Sequence, residues 1–110
     1  MDNVTSIFNL RAEKKFNEDE AYELLNLFLA VTSKAKIKIN ALNSRLEYHQ
    51  HNPSMADEIQ TELNTEINKW SEKIRRLGGT PLSLYQVRIP TDGGSFLWSH
   101  PQATLEFQID

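Results

Sequence analysis

The stretch NEDEAYELLNLFLAVTSKAKIKINALNSRL, residues 17–46, decides the fold of this chain. Its apolar and small side chains recur at alternating spacings of four and three residues, which is the pattern of one buried helix face. The positions are Ala21, Leu25, Phe28, Thr32, Ala35, Ile39, Leu42 and Leu46. Asn17, with Glu20 three residues later, is typical of a capping box at a helix start. We therefore predict a long helix over about residues 18–49.

A second helix is predicted over about residues 54–77, after the turn HNPS at 51–54. The same heptad spacing recurs along it, at Ile59, Leu63, Ile67, Trp70, Ile74 and Leu77. Gly78 suits the left-handed position that often follows a helix end. Two such helices joined by a short turn form an antiparallel helical hairpin of the coiled-coil type.

The N-terminal half of the first helix needs a second neighbour. Leu24, Leu27 and Val31 widen its apolar face there and nowhere else, which indicates further packing at that end. The C-terminal third supplies three short runs with the period-two alternation of strands, at about residues 84–89, 95–99 and 104–109. We predict that these strands form a small antiparallel sheet on the open end of the hairpin, which makes an α+β fold.

Each predicted strand has one face that we expect to point at the helices. In the first strand this face holds Tyr85, Val87 and Ile89, and in the third it holds Leu105, Phe107 and Ile109. Between the first two strands, PTDGG at 90–94 provides glycines for a hairpin turn. The first predicted helix is longer than the second, so its N-terminal end extends past the hairpin. Phe96 and Trp98, on the middle strand, are predicted to cover this end.

Composition indicates one ordinary globular domain. The chain has 110 residues, of which 39% are hydrophobic and 25% charged. We assign residues 17–110 to a single domain and residues 1–16 to an N-terminal extension that is partly ordered, because Ile7, Phe8 and Leu10 could form a short strand there. The absence of cysteine excludes disulfides, thiol catalysis and thiolate metal sites.

Charge and hydropathy also limit the partners of the chain. The net charge of −3 argues against broad, nonspecific nucleic-acid binding, which needs a concentrated basic surface. No apolar run approaches the ~20 residues that span a bilayer, and the N-terminus lacks the pattern of a signal peptide. We expect a cytoplasmic protein that does not enter a membrane and has no broad nucleic-acid-binding surface.

Several positions open the first helix, end the second helix and close the sheet in a recurring order, at Phe16, Ala21, Leu24, Leu25, Trp70, Ile74, Leu77, Gly78, Pro81, Gly94, Trp98 and Pro101. This pattern resembles an uncharacterised bacterial family that is known only as a domain of unknown function. The resemblance covers about residues 16–109 and implies a small bacterial domain with a helical hairpin and no established activity. Arg88, Leu97 and Gln102 depart from it, since the family tends to carry an acid, a cysteine and an acid there.

The stretch FLWSHP, residues 96–101, has the side chains most typical of a catalytic or ligand-binding site in this chain. With the neighbouring strand it suggests a candidate ligand or partner surface formed by Tyr85, Arg88, Trp98 and His100. We predict no catalytic residue, because the nearest acids in sequence, Asp92 and Glu106, are placed in a turn and on the opposite strand face. We also predict no metal and no cofactor, since His49 and His51 have a spacing that suits a helical metal site poorly.

Three functions remain open at the level of sequence. The leading prediction is a non-enzymatic, self-associating protein-interaction module, a homodimer or the ligand of an unknown protein partner. Leu29, Ile37 and Tyr48, off the main apolar face of the first helix, form its candidate dimer surface. The alternative is a small-ligand or enzymatic site between the sheet and the first helix. Weak RNA binding through basic side chains is the third, involving Lys34, Lys36, Lys38 and Arg75.

Overall fold

The computed structural model describes residues 14–110, which form two helices followed by a four-stranded antiparallel sheet. The elements are α1 (Glu18–Tyr48), α2 (Pro53–Leu77), β1 (Thr80–Ser83), β2 (Gln86–Thr91), β3 (Gly94–Ser99) and β4 (Glu106–Ile109). The strands follow one another in the order β1-β2-β3-β4. The predicted α+β fold is confirmed, whereas the predicted strand at Ile7, Phe8 and Leu10 lies outside the described residues.

Local signals place the helix ends within one residue of the predicted limits. The Asn17 side chain accepts a hydrogen bond from the Glu20 N–H at 2.8 Å, and the Asn17 N–H donates to Glu20 Oε1 at 3.0 Å, which completes the capping box. The Asn52 side chain caps α2, which begins at Pro53, where the missing N–H costs no helical hydrogen bond. Gly78 ends α2 with φ +109°.

The helices run antiparallel and enclose two hydrophobic cores. Lys38 Nζ lies 3.9 Å from Glu66 Oε1, and Arg45 lies 3.7 Å from Glu62, nearer the turn. Among the described residues, the smaller core near the turn holds Ile39, Leu42, Ile59 and Leu63. The larger core joins the other end of the hairpin to the sheet and holds Phe16, Ala21, Leu24, Leu25, Phe28, Trp70, Ile74, Val87, Ile89, Phe96 and Trp98.

The sheet covers the N-terminal half of α1, as the wider apolar face there predicts. Phe28 and Trp98 meet with their ring centroids 6.0 Å apart, and both side chains are buried. Leu24 is buried and Val31 packs against the larger core, but Leu27 is exposed. The prediction is therefore wrong for Leu27, since the sheet covers only one side of the helix.

The first two strands differ from the prediction. The sequence does not predict β1, because Pro81 lacks the backbone N–H that an interior strand needs. β1 lies at the edge of the sheet, where this missing N–H is tolerated. β2 begins at Gln86 rather than at residue 84. Tyr85 lies instead in the turn between β1 and β2 with φ +69°, so it does not alternate with Val87 and Ile89 as predicted.

The third predicted strand exists as β4, which is shorter than residues 104–109. Its apolar face points the predicted way, since Phe107 lies opposite Phe96 with ring centroids 5.6 Å apart. Leu105 packs on the larger core, but Phe107 is 50% and Ile109 is 77% exposed. The expectation that this whole face packs on the helices is therefore wrong, because β4 lies at the outer edge of the sheet.

Candidate functional site

The predicted residues Tyr85, Trp98 and His100 meet at the corner where the end of β3 faces α1. The His100 ring lies 6.2 Å from Tyr85 and 6.1 Å from Trp98, between centroids. Its backbone N–H donates to the Tyr85 carbonyl oxygen at 3.0 Å, and its Nε2 lies 3.1 Å from Ser33 Oγ on α1. The corner thus joins a turn, a strand end and a helix through one imidazole.

Trp98 belongs to the core rather than to a binding surface. Its side chain is 1% exposed, and its Nε1–H donates to the Gln102 carbonyl oxygen at 2.7 Å. That hydrogen bond satisfies the one polar group of the indole, so the ring is buried without an unpaired donor. Trp98 therefore has a structural role in the core. Within FLWSHP, only His100 brings a polar side chain to the corner.

Arg88 lies apart from the other three predicted site residues. It occupies β2 between Val87 and Ile89, whose side chains are fully buried on the helix side of the sheet. Since successive side chains of a strand alternate between faces, Arg88 belongs to the outer face, across from Thr80 and Leu97. The sheet separates it from the corner of Tyr85 and His100.

The protonation of His100 argues against a serine nucleophile at Ser33. Burial, followed by the charge of Lys36, lowers the pKa of His100 from its ordinary value of 6.5. The Nδ1 atom is buried without a hydrogen-bond partner among the described residues. A proton there would be a buried donor without an acceptor, which favours the neutral tautomer that carries its proton on Nε2 and donates to Ser33 Oγ. An Nε2–H cannot accept the serine proton, which a general base must do.

Tyr85 lies between the two cores. Its ring meets Trp70 edge-on at 6.1 Å between centroids, and the Lys36 ammonium lies 5.5 Å from its ring centre. The hydroxyl is buried without a partner among the described residues, and burial raises the pKa of Tyr85. This geometry depends on the turn conformation of Tyr85, which the alternating pattern of the sequence did not reveal.

The candidate dimer surface on α1 consists of separated side chains. Leu29 packs against the larger core, whereas Ile37 is 72% and Tyr48 is 84% exposed. Ile37 and Tyr48 lie eleven residues, or about three helical turns, apart on one side of α1, with Ala41 and Ser44 between them. They present two isolated apolar groups rather than a continuous patch.

A more continuous apolar surface lies at β4, where the sequence predicted core. β1 and β4 are the two edges of the sheet. β1 carries Pro81, and its pairing shifts register before Ser83, both of which hinder the addition of another strand. β4 carries no proline, and its outer edge has no strand partner within residues 14–110.

The backbone of β4 is oriented for further pairing. The Asp110 N–H donates to the Gly93 carbonyl oxygen at 3.1 Å. Because hydrogen-bonded positions alternate along an antiparallel strand, the N–H and C=O groups of Phe107 and Ile109 point away from β3. The Leu105 N–H, two residues earlier, donates outward to Tyr22 Oη at 3.4 Å. Two exposed apolar residues thus coincide with outward-facing backbone donors and acceptors in the described part of the chain.

Within residues 14–110, no cluster of three or more histidine, aspartate or glutamate side chains could hold a metal ion. In the same part of the chain no helix combines the length and apolarity needed to cross a membrane. Comparison of the chain with models of protein families, with curated proteins and with solved structures gives no match.

Proposed function

We propose that this protein is a non-enzymatic, self-associating interaction module in which β4 pairs with β4 of a second copy. The observation that carries the proposal is the open edge of β4, where Phe107 and Ile109 are exposed beside outward-facing backbone groups. An unguarded edge strand is a template for another strand. Pairing of identical strands about a two-fold axis satisfies both edges at once and closes the assembly as a dimer.

The two-fold axis restricts the register of this pairing. When the axis is perpendicular to the sheet, residues opposite each other on the two β4 strands must have their side chains on the same face. Odd-numbered residues of one copy therefore pair with odd-numbered residues of the other. A register centred on Phe107 places the two Phe107 rings opposite each other and Leu105 opposite Ile109 of the second copy. All the exposed apolar side chains of β4 then meet in the interface.

The neighbouring symmetric register is less favourable. If the axis passes through Gln108, Glu106 comes to lie opposite Asp110 of the second copy. Like charges directly opposite each other in a sheet are destabilising. We therefore favour the register centred on Phe107. Because β4 has only 4 residues, the interface falls below the roughly 1,600 Å² of a standard stable complex, and we expect a reversible dimer.

Ile109→Lys and Ile37→Lys form a matched pair of variants for the test. Both isoleucines are exposed, at 77% and 72%, but one lies on β4 and the other on the candidate surface of α1. Sedimentation equilibrium over a range of concentrations should give a dimer for the wild type and for Ile37→Lys. It should give a monomer for Ile109→Lys, because the lysine would be buried between the two β4 strands without a partner for its charge.

Other results would assign the surfaces differently. Dissociation by Ile37→Lys alone would place the interface at Leu29, Ile37 and Tyr48. A wild-type chain that is monomeric throughout would refute self-association. A monomer that dimerises only after removal of residues 1–13 would mean that the N-terminal segment occupies the edge of β4.

A small-ligand site between the sheet and α1 is the second candidate function. Two observations support it, namely the buried Tyr85 hydroxyl and the buried His100 Nδ1, neither of which has a partner among the described residues. Unpaired buried polar atoms at one corner are suited to a ligand that supplies hydrogen bonds. Thermal-shift screening of small metabolites against the wild type and His100→Gln tests this candidate, since a genuine ligand should stabilise the wild type more.

A further inference from the structure

A groove of about 440 Å³ lies between α1 and α2, on the hairpin itself rather than at the sheet. Its floor consists of Ala30, Val31, Ala35 and Trp70. Ala35 packs against both the larger and the smaller core, so the groove marks the place where the two cores meet. The short alanine side chains on α1 leave space that longer side chains would fill. We call this feature the lysine groove because of the residues on its rim.

The rim of the lysine groove is strongly basic. Lys34 and Lys38 line it from α1, and Lys69 and Lys73 line it from α2. Together with Glu66, these four lysines give the groove a formal charge of +3, whereas the whole chain carries −3. The positive charge is therefore concentrated here against the overall balance of the molecule.

One carboxylate neutralises only part of this charge. Glu66 lies 3.9 Å from Lys38 Nζ and 3.3 Å from Lys69 Nζ, and its side chain is 19% exposed. Lys34 and Lys73 form no ion pair with any of the described residues. Moreover, the two lysines on each rim are four residues apart on a helix, where like charges repel each other. An anion bound between the rims would relieve both repulsions.

We propose that the lysine groove binds a compact anion that carries two or more phosphate groups on a small organic body. Lysine ammonium groups act as point charges for phosphate, and four of them surround one concave site. The volume lies within the range of about 300–1,000 Å³ that is usual for small-molecule sites. The apolar floor would contact the organic body while the rim holds the phosphates.

The geometry favours such a ligand over a nucleic-acid strand. Single-stranded nucleic acids stack their bases on exposed aromatic rings. Trp70 is only 2% exposed, and its Nε1–H donates to Thr32 Oγ1 at 2.8 Å, which fixes the indole within the hairpin. Lys36, which the sequence groups with Lys34 and Lys38, lies instead over the Tyr85 ring. The basic residues thus form a confined cluster and not a long track.

Titration calorimetry of the full chain at low ionic strength tests the proposal, with inorganic triphosphate and magnesium-free ATP as probes. We expect binding at one site per chain, tighter for ATP because its organic body contacts the floor. The double variant Lys34→Gln/Lys73→Gln should weaken the affinity about tenfold or more, since it removes two of the four rim charges. Arg75→Gln removes one charge from α2 outside the groove and should leave the affinity within about twofold of the wild type.

Glu66→Gln provides an opposite and more specific expectation. Removing this carboxylate frees Lys38 and Lys69 for the ligand, so the affinity for triphosphate should rise. A purely structural role for Glu66 would not raise it. Ile109→Lys should bind both probes as the wild type does, which separates this proposal from self-association through β4.

Three results would overturn the proposal. The first is no binding of either probe at one site per chain, and the second is equal weakening by Arg75→Gln and by the double lysine variant. The third is tighter binding of a single-stranded oligoribonucleotide than of ATP, which would identify the groove as a nucleic-acid contact.

Discussion

At the scale of single residues, His100 connects parts of the chain that are distant in sequence. Its imidazole reaches Ser33, 67 residues earlier, at 3.1 Å from Nε2 to Oγ. The same ring contacts Tyr85 and Trp98, and Lys36 places a positive charge nearby. A neutral imidazole suits these surroundings, because a second N–H at Nδ1 would be buried without an acceptor among the described residues.

This environment predicts a pH dependence of stability. The pKa of His100 is lowered by burial and then by Lys36, so the unfolded chain takes up a proton at a higher pH than the folded chain does. The stabilisation is complete above about pH 6.5, the ordinary histidine pKa, and is lost as the pH falls through the lowered folded value. We expect the free energy of unfolding of the wild type, measured in urea, to fall in this range more than that of His100→Gln.

The comparison between the two proteins isolates His100, since His49 and His51 are present in both. The glutamine introduced by His100→Gln keeps an amide that can donate to Ser33 without titrating. An identical decrease of unfolding free energy in both proteins would show that His100 does not cause the pH dependence.

At the scale of elements, the junction between α2 and β1 is set by close packing at two glycines. Gly78 adopts φ +109°, which ends the helix. At Gly79, an added Cβ would lie 2.6 Å from Val87 Cγ1 and 2.8 Å from Phe28 Cζ. The chain therefore passes from the helix to the sheet directly against the larger core, with no room for a side chain at residue 79.

This contact predicts that Gly79→Ala destabilises the protein by about 1–3 kcal/mol, the usual cost of overpacking a core. The matched variant is Gly93→Asn in the turn between β2 and β3, where no atom of the described residues lies within 4 Å of an added Cβ and asparagine tolerates the φ of +76°. Urea denaturation should show a clear loss for Gly79→Ala and a small change for Gly93→Asn. Equal losses would mean that the contacts at Gly79 relax without cost.

At the scale of the whole molecule, stability is unevenly distributed along an elongated body of 55 × 37 × 22 Å. Within the described residues, the larger core contains eleven buried residues and the smaller core four. The end of the hairpin that carries the turn is stabilised mainly by helix–helix contacts, with Tyr85 packing at its edge, whereas the other end packs broadly on the sheet. Free energies of local opening follow such differences in burial.

Hydrogen exchange should therefore separate two regions. We expect backbone amides of α1 and α2 around Ile39 and Ile59 to exchange through a partial opening that leaves the amides near Trp70 and Val87 protected. Ile59→Ala should accelerate exchange in the first region, because it removes a fully buried side chain from the smaller core. Equal acceleration in β2 and β3 would contradict this and indicate one cooperative unit.

The sequence by itself determined most of the secondary structure and the side chains that share a face. Both helices, their caps at Asn17 and Gly78, and the hairpin at Gly93 follow from patterns within a few residues. Such features depend on local backbone hydrogen bonds and on periodicity, both of which can be inferred from residues that are close in sequence. The α+β fold follows as well, because both patterned regions carry an apolar face that needs a cover.

Only the tertiary structure decided which of those faces is covered. The same alternation describes Val87 in the core and Ile109 at an open edge, since periodicity does not record how far a strand lies from the helices. The contact of Ser33 with His100 and the meeting of four lysines at one groove likewise join separate elements. These features depend on the relative placement of helices and strands, which is set by packing of the whole molecule rather than by any local stretch.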